Sequence, residues 1–197
     1  MSYPIFLDLK DKKVVVIGGG RIAHRKIESL RGQGAKILVI APELNEAILK
    51  LSNKEMSIDV IIGVFKERHL DDAVLVFVAS SDEKTNDNVT IACKTRSILV
   101  NNCMDQTQSV FKSGAVIREG EIEIAIGTGG KRPGVSKWLS ERMQSALPQT
   151  LDEIVTSYDE IRQEARQKYD RSKDREQYIK ESFRKILESL EGHKNEN

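Results

Sequence analysis

A chain of 197 residues holds one ordinary domain plus a smaller appendage, and its 39% hydrophobic and 31% charged residues describe a soluble protein with a buried core and much exposed helix. A formal net charge of +1 argues neither for nor against a polyanionic partner and leaves that to local clusters; no nucleic-acid partner is expected. Two cysteines (Cys93, Cys103) exclude a disulfide scaffold, and three scattered histidines (His24, His69, His193) give no readable metal site. The chain shows no leader and no membrane-spanning apolar run, so a cytoplasmic protein with reduced thiols is expected.

The first predicted element is the strand Val14-Val15-Val16-Ile17, apolar throughout as a parallel strand buried on both faces must be. It runs into Gly18-Gly19-Gly20-Arg21-Ile22-Ala23, a version of the G-x-G-x-x-G/A pattern. Gly18 turns the chain, Gly20 gives a phosphate access to backbone, and Ala23 lets the next helix pack closely. Ala23, Ile27 and Leu30 recur at helical spacing, Gly34 supplies a stop, and Lys36 to Ile40 reads as a second strand. Strand, glycine turn, helix and strand within about 30 residues form a βαβ unit, whose helix N-terminus suits a dinucleotide pyrophosphate. The second strand ends at Ala41-Pro42-Glu43. Glu43 is placed either to accept ribose hydroxyls or, behind Pro42, to open the next helix. No arginine follows that strand at once, which favours NAD over NADP.

Glu43 to Asn53 is predicted as a helix, Ser57 to Ile62 as a third strand and Val74 to Val78 as a fourth, ending at Ser80-Ser81. Asn86 to Thr95 suits a helix and Ile98 to Val100 a fifth strand. This alternation predicts an α/β, Rossmann-like doubly wound parallel sheet with its ligand crevice at the carboxyl ends of the strands. Beyond residue 110, Ala115 to Ile117 and Ile122 to Ile126 flank Arg118 to Glu121 as a hairpin, followed by the loop Gly127 to Gly134 and a helix from about Val135 to Ala146. From Leu151 onward two apolar stripes, separated at Asp170 to Asp174, predict helices that pair or meet another subunit. The residues after Gly192 are expected to lack order.

These motifs form an ordered set. It comprises Tyr3 to Leu9, Val14 to Ala23 with Arg25-Lys26, Val39 to Pro42, Ala79 to Asp82, Val100-Asn101 with Asp105 and Phe111, and Ile124 to Ile126 before Thr128-Gly129-Gly130 and Pro133. Over roughly residues 3 to 145 the set resembles the precorrin-2 dehydrogenases of the siroheme-synthase family. The resemblance implies NAD-dependent oxidation of precorrin-2 to sirohydrochlorin, on the way to sirohaem or cobalamin. It implies a homodimer with an NAD-binding domain (1–112), a dimerisation segment holding the hairpin (113–146) and a helical domain (147–197). Some members also insert iron; otherwise a downstream chelatase takes the product.

Mapped onto this chain, the implied cofactor contacts are Gly18, Gly20, Arg21, Ile22, Pro42, Glu43 and Ser80. Asp105 is the implied catalytic carboxylate, with the cap of a turn formed by Gln106 and Thr107 as its alternative role. Thr128, Gly129, Gly130, Lys131 and Arg132 are the implied loop for the substrate's acid groups, with Arg118, Lys112 and Lys137 near in sequence. Gly127 and Arg132 stand where family members often carry serine, and Asn102 and Met104 interrupt a segment that is more apolar and acidic in the family. An NAD-sensing regulatory module and a bifunctional dehydrogenase and ferrochelatase are the competing expectations.

Overall fold

Burial on both faces makes the run Val14–Ile17 the centre of a parallel sheet. In the computed structural model, which describes residues 3–148 and 150–192, the strands are β1 (Lys13–Ile17), β2 (Lys36–Ala41), β3 (Ile58–Ile62), β4 (Ala73–Val78) and β5 (Leu99–Asn102). Their spatial order is β3-β2-β1-β4-β5, every pair parallel, with the order reversing between β1 and β4. Ile17 lies opposite both Ile40 and Val78, and Val78 lies opposite Asn102. The carboxyl ends of β2, β1, β4 and β5 are therefore level, and the loops leaving them share one edge of the sheet.

Side chains alternate across the strands. Val14, Val16, Val39 and Phe77 join Ala23, Ile27 and Leu30 of α1 (Arg21–Leu30) in one core. Val15, Ile17, Val76, Val78 and Val100 join Val89 of α3 (Glu83–Thr95) in the other. Gly34, expected as a stop, has a left-handed φ of +71° after α1.

Several boundaries differ from expectation, three of them with a clear cause or consequence. The second helix, α2 (Glu46–Ser52), starts three residues late because Asn45 caps it, its side chain accepting the Ile48 N–H at 2.9 Å. Pro42 and Glu43 therefore do not open this helix; they form an exposed bend before it. The third helix starts three residues early because Asp82 caps it, accepting the Thr85 N–H at 2.9 Å; its first turn is polar and gives no apolar periodicity. The fifth strand runs on to Asn102 through two buried asparagines.

The chain divides into two compact units, one of residues up to Ser113 together with Gly129–Lys131, the other of Gly114–Thr128 together with Arg132 onward. In the second unit β6 (Ala115–Glu119) and β7 (Ile122–Ile126) pair antiparallel through a two-residue turn, with Gly120 at φ +54°. Ile122, Ile124 and Ile126 are half-buried while Glu123 and Ala125 are exposed. Helix α4 (Pro133–Ala146) begins on a proline, whose missing N–H costs nothing at that position. The stripes predicted past Leu151 become α5 (Leu151–Lys168) and α6 (Ser172–Gly192), the break falling at Tyr169–Arg171. They pair: Tyr158 meets Phe183 edge-on at 4.9 Å, and Tyr178 donates from its hydroxyl to Glu164 at 2.7 Å. Residues after Gly192, expected to lack order, lie outside the described residues. No helix among the described residues is long and apolar enough to cross a membrane.

Candidate active site

The three glycines after β1 meet different surroundings. Gly18 has φ +120°, a side chain there would collide with the Ala79 carbonyl, and its N–H donates to the Ile40 carbonyl at 2.9 Å. Gly19, to which the sequence reading gave no role of its own, lies under the Glu43 carbonyl and Leu44 Cα with no room for a Cβ, and its carbonyl accepts the Asn45 N–H at 2.9 Å. Gly20 faces open space instead. It precedes α1 without any side-chain cap, and no acidic residue sits in the helix's first turn. Arg21 and Ile22 are exposed in that turn, and Ala23 is fully buried on the sheet. An uncapped helix N-terminus with free space before it suits a pyrophosphate, as the unpaired N–H groups and the dipole's positive end both favour an anion.

On one side of this turn stand Pro42 and Glu43, held over Gly19. On the other is Ser80, half-buried, whose hydroxyl accepts the Asp82 N–H at 3.1 Å and whose carbonyl accepts from Asn86 Nδ2 at 2.9 Å.

Asp105 lies past the end of β5 and caps a short 3-10 turn, Gln106–Gln108. Its carboxylate accepts the Thr107 N–H at 2.9 Å and the Thr107 hydroxyl at 2.6 Å. These bonds, the hydroxyl's foremost, hold the carboxyl below its usual range. The capping geometry is thus present, and it leaves Asp105 ionised at the same edge of the sheet as Gly20.

The glycine loop divides. Gly129 and Gly130 take left-handed φ values of +69° and +78°. A Cβ on Gly130 would sit 3.2 Å from both Gln106 Oε1 and the Lys112 stem, so the middle of this loop lies beside the turn that Asp105 caps. Thr128 and Arg132 belong to the second unit, where the Thr128 hydroxyl donates to the Arg132 carbonyl at 3.0 Å. Lys131 and Arg132 are exposed, while Arg118 and Lys137 pair with Glu123 at 2.7 Å and Glu141 at 3.7 Å. Lys26, quoted in the sequence only as part of a motif, is half-buried. It donates to Ser113 Oγ at 2.5 Å, lies 5.0 Å over the Phe77 ring, and is pushed down from the usual lysine pKa by desolvation. No group of three His, Cys, Asp or Glu side chains placed to hold a metal occurs among the described residues.

Residues 5–115 match the family model described as putative NAD(P)-binding. Siroheme synthases of Methylobacillus flagellatus and Tolumonas auensis are 29% and 32% identical over 94% and 93% of the chain. The chain spans about two fifths of those relatives, 40% and 39% of their length. The solved structure of SirC, precorrin-2 dehydrogenase, matches 97% of this chain and 100% of its own with a TM-score of 0.76 and 25% identity. The motif resemblance drawn from the sequence is borne out by these relatives, and the chain belongs to the putative NAD(P)-binding family.

Proposed function

We propose that the chain is a cytoplasmic, homodimeric, NAD-dependent dehydrogenase that converts precorrin-2 into sirohydrochlorin. The observation that carries this reading is the likeness to SirC, precorrin-2 dehydrogenase, along the full length of that chain. Two local features support it: an uncapped helix N-terminus behind Gly20, and an ionised Asp105 at the same sheet edge. The matching domain division is 1–112 for the cofactor, 113–146 for dimerisation and 147–197 for the helical domain. Exposed apolar side chains at Val116, Val135, Trp138 and Met143 support subunit contact in the middle segment.

In this reading the N–H groups following Gly20, at Arg21 and Ile22, hold the pyrophosphate. Gly18, Pro42 and Ser80 wall the cofactor, and Glu43 accepts from the ribose hydroxyls. NAD held there would supply the hydride acceptor for oxidation of the tetrapyrrole. Asp105 takes the accompanying proton, so precorrin-2 and NAD⁺ give sirohydrochlorin, NADH and H⁺. A carboxylate held below its usual pKa range is a weak base. It suits a proton made acidic by hydride departure better than one that must be abstracted first. Gly129, Gly130 and Lys131, with Gly130 beside the Asp105 turn, meet the substrate's carboxylates through backbone N–H and cationic groups.

The test is anaerobic incubation with precorrin-2 and NAD, following nicotinamide reduction and the tetrapyrrole spectrum together, with and without iron or cobalt. Coupled NADH and sirohydrochlorin formation is expected. Asp105→Ala should lower turnover by about 100-fold or more while NAD binding persists. NAD binding without turnover in the unaltered protein would put an NAD-dependent regulatory module in place of the enzyme. Product that takes up metal only in the protein's presence would add an insertion activity.

A further inference from the structure

The last two residues of β5 are consecutive buried asparagines, Asn101 and Asn102, with 0% and 1% of their surface exposed. Alternation along the strand sends them to opposite faces of the sheet. On the α1 face, Asn101 Nδ2 donates to the Phe111 carbonyl at 2.9 Å, and its Oδ1 lies 3.3 Å from the Cys103 thiol. On the α3 face, Asn102 Oδ1 accepts two backbone N–H groups, those of Met104 and Asp105, each at 3.0 Å. The backbone of Asn102 is also engaged: its N–H donates to Ser109 Oγ at 2.9 Å, and its carbonyl accepts from Gln106 Nε2 at 3.3 Å. The two amides thus clamp the start and the end of the loop that carries Asp105.

The Asn102 clamp continues into α3. Asn102 Nδ2 donates to Thr90 Oγ1 at 3.4 Å, Thr90 Oγ1 donates to the Asn86 carbonyl at 2.7 Å, and Asn86 Nδ2 donates to the Ser80 carbonyl at 2.9 Å. Asn86, Thr90 and Asn102 are all buried, so a polar chain runs through an otherwise apolar layer from the loop after β4 to the loop after β5. Its one slack point among the described residues is Asn86 Oδ1, buried without a partner. Burying three amide or hydroxyl side chains beside Val89 and Val100 is costly unless each is bonded, and an apolar residue of similar size at Asn102 would pack there without that cost. What such a residue lacks is an acceptor for the two N–H groups that set the backbone of Asp105.

We propose that Asn102 is a positioning residue for Asp105, fixing the carboxylate relative to the Ser80 loop through the Asn86–Thr90–Asn102 chain. The inference rests on the role proposed for Asp105. The experiment compares Asn102→Ala and Asn102→Asp with the unaltered protein by steady-state kinetics, NAD titration, amide hydrogen exchange and NMR titration of the Asp105 carboxyl. In Asn102→Ala, exchange at Met104 and Asp105 should speed up and kcat should fall about 10- to 100-fold, while NAD affinity stays within about twofold. Asn102→Asp keeps an acceptor toward both N–H groups and adds a negative charge behind Asp105. It should retain more of kcat and raise the Asp105 pKa, moving the acid limb of the kcat/KM profile upward.

A folded Asn102→Ala protein with unchanged kcat, or with a loss confined to KM, overturns the proposal. An Asp105 titration unmoved by Asn102→Asp also overturns it, and that variant decides the matter should Asn102→Ala not fold. If the unaltered protein does not turn over precorrin-2, the dehydrogenase reading falls instead. Exchange and carboxyl titration, which need no substrate, then decide the positioning role alone.

Discussion

A carboxylate that caps a turn and one that accepts a proton make different demands on a side chain, and Asp105 meets the first in a way that tunes the second. Its bonds to Thr107 favour the ionised form, so the group is a base over the whole neutral range and loses that form only in acid. Thr107→Val removes the hydroxyl but keeps the backbone N–H, so the Asp105 pKa should rise toward the ordinary carboxylate value. The acid limb of kcat/KM should then move to higher pH. A pH-rate profile checks this, and a limb that stays in place would mean that another group sets it. The linked stability has the same sign: because the folded pKa is depressed, the contribution is present above the unfolded pKa and is lost as pH falls through the folded one. The sequence left both roles of Asp105 open, since an acid before Gln-Thr also reads as a cap. It marked Asn102 only as an interruption of an apolar segment, because a polar residue after an apolar run reads as the end of a strand, and only tertiary packing reveals that its amide is buried.

At the level of elements, the glycine turn and the first two strands were legible because their demands are local: a backbone twist at Gly18 and apolar periodicity along α1. The starts of α2 and α3 were not, because a cap is a side-chain bond and its signature competes with other readings. Pro42-Glu43 mimicked a helix start three residues before Asn45 took the role, and the polar first turn after Asp82 offered no periodicity. Helix α1 carries a separate cost at Lys26, whose ammonium is half-buried and bonded only to Ser113 and the Phe77 face among the described residues. Methionine keeps the stem over the ring and removes the charge that must be desolvated. Lys26→Met should therefore be neutral or stabilising by about 1 kcal/mol in denaturant titration. A loss above about 2 kcal/mol would mean that the ammonium's contacts outweigh its desolvation.

For the molecule as a whole, strands alternating with helices predict a doubly wound parallel sheet with its ligand crevice at the carboxyl ends of the strands. That much followed from sequence, as did the hairpin; the strand order came only with the fold, and of the two uses left open for the last apolar stripes, pairing of helices is the one seen. The contact between Gly130 and the turn that Asp105 caps did not follow from sequence, because it joins segments more than 20 residues apart through a loop whose own pattern fixes no neighbour. The proposed substrate loop and the proposed base can be named from motifs, but the nearness of Gly130 to the Asp105 turn is a tertiary fact.

Cys93, on the buried face of α3, has its thiol pushed up to about 12 by desolvation, with Arg96 pulling the other way. Such a thiol is both protonated and out of reach, so an alkylating reagent modifies it only in molecules that have opened. The sheet's own core thus carries a clock for unfolding. If NAD binds the closed form alone, alkylation at Cys93, resolved from Cys103 by peptide mapping, should slow by the factor 1 + [NAD]/Kd, about 100-fold at 100 times Kd. Gly20→Asp, which sets a charged side chain against the pyrophosphate, should abolish the slowing. The cofactor's affinity is then readable from the lifetime of one hidden sulfur, without any tetrapyrrole in the tube.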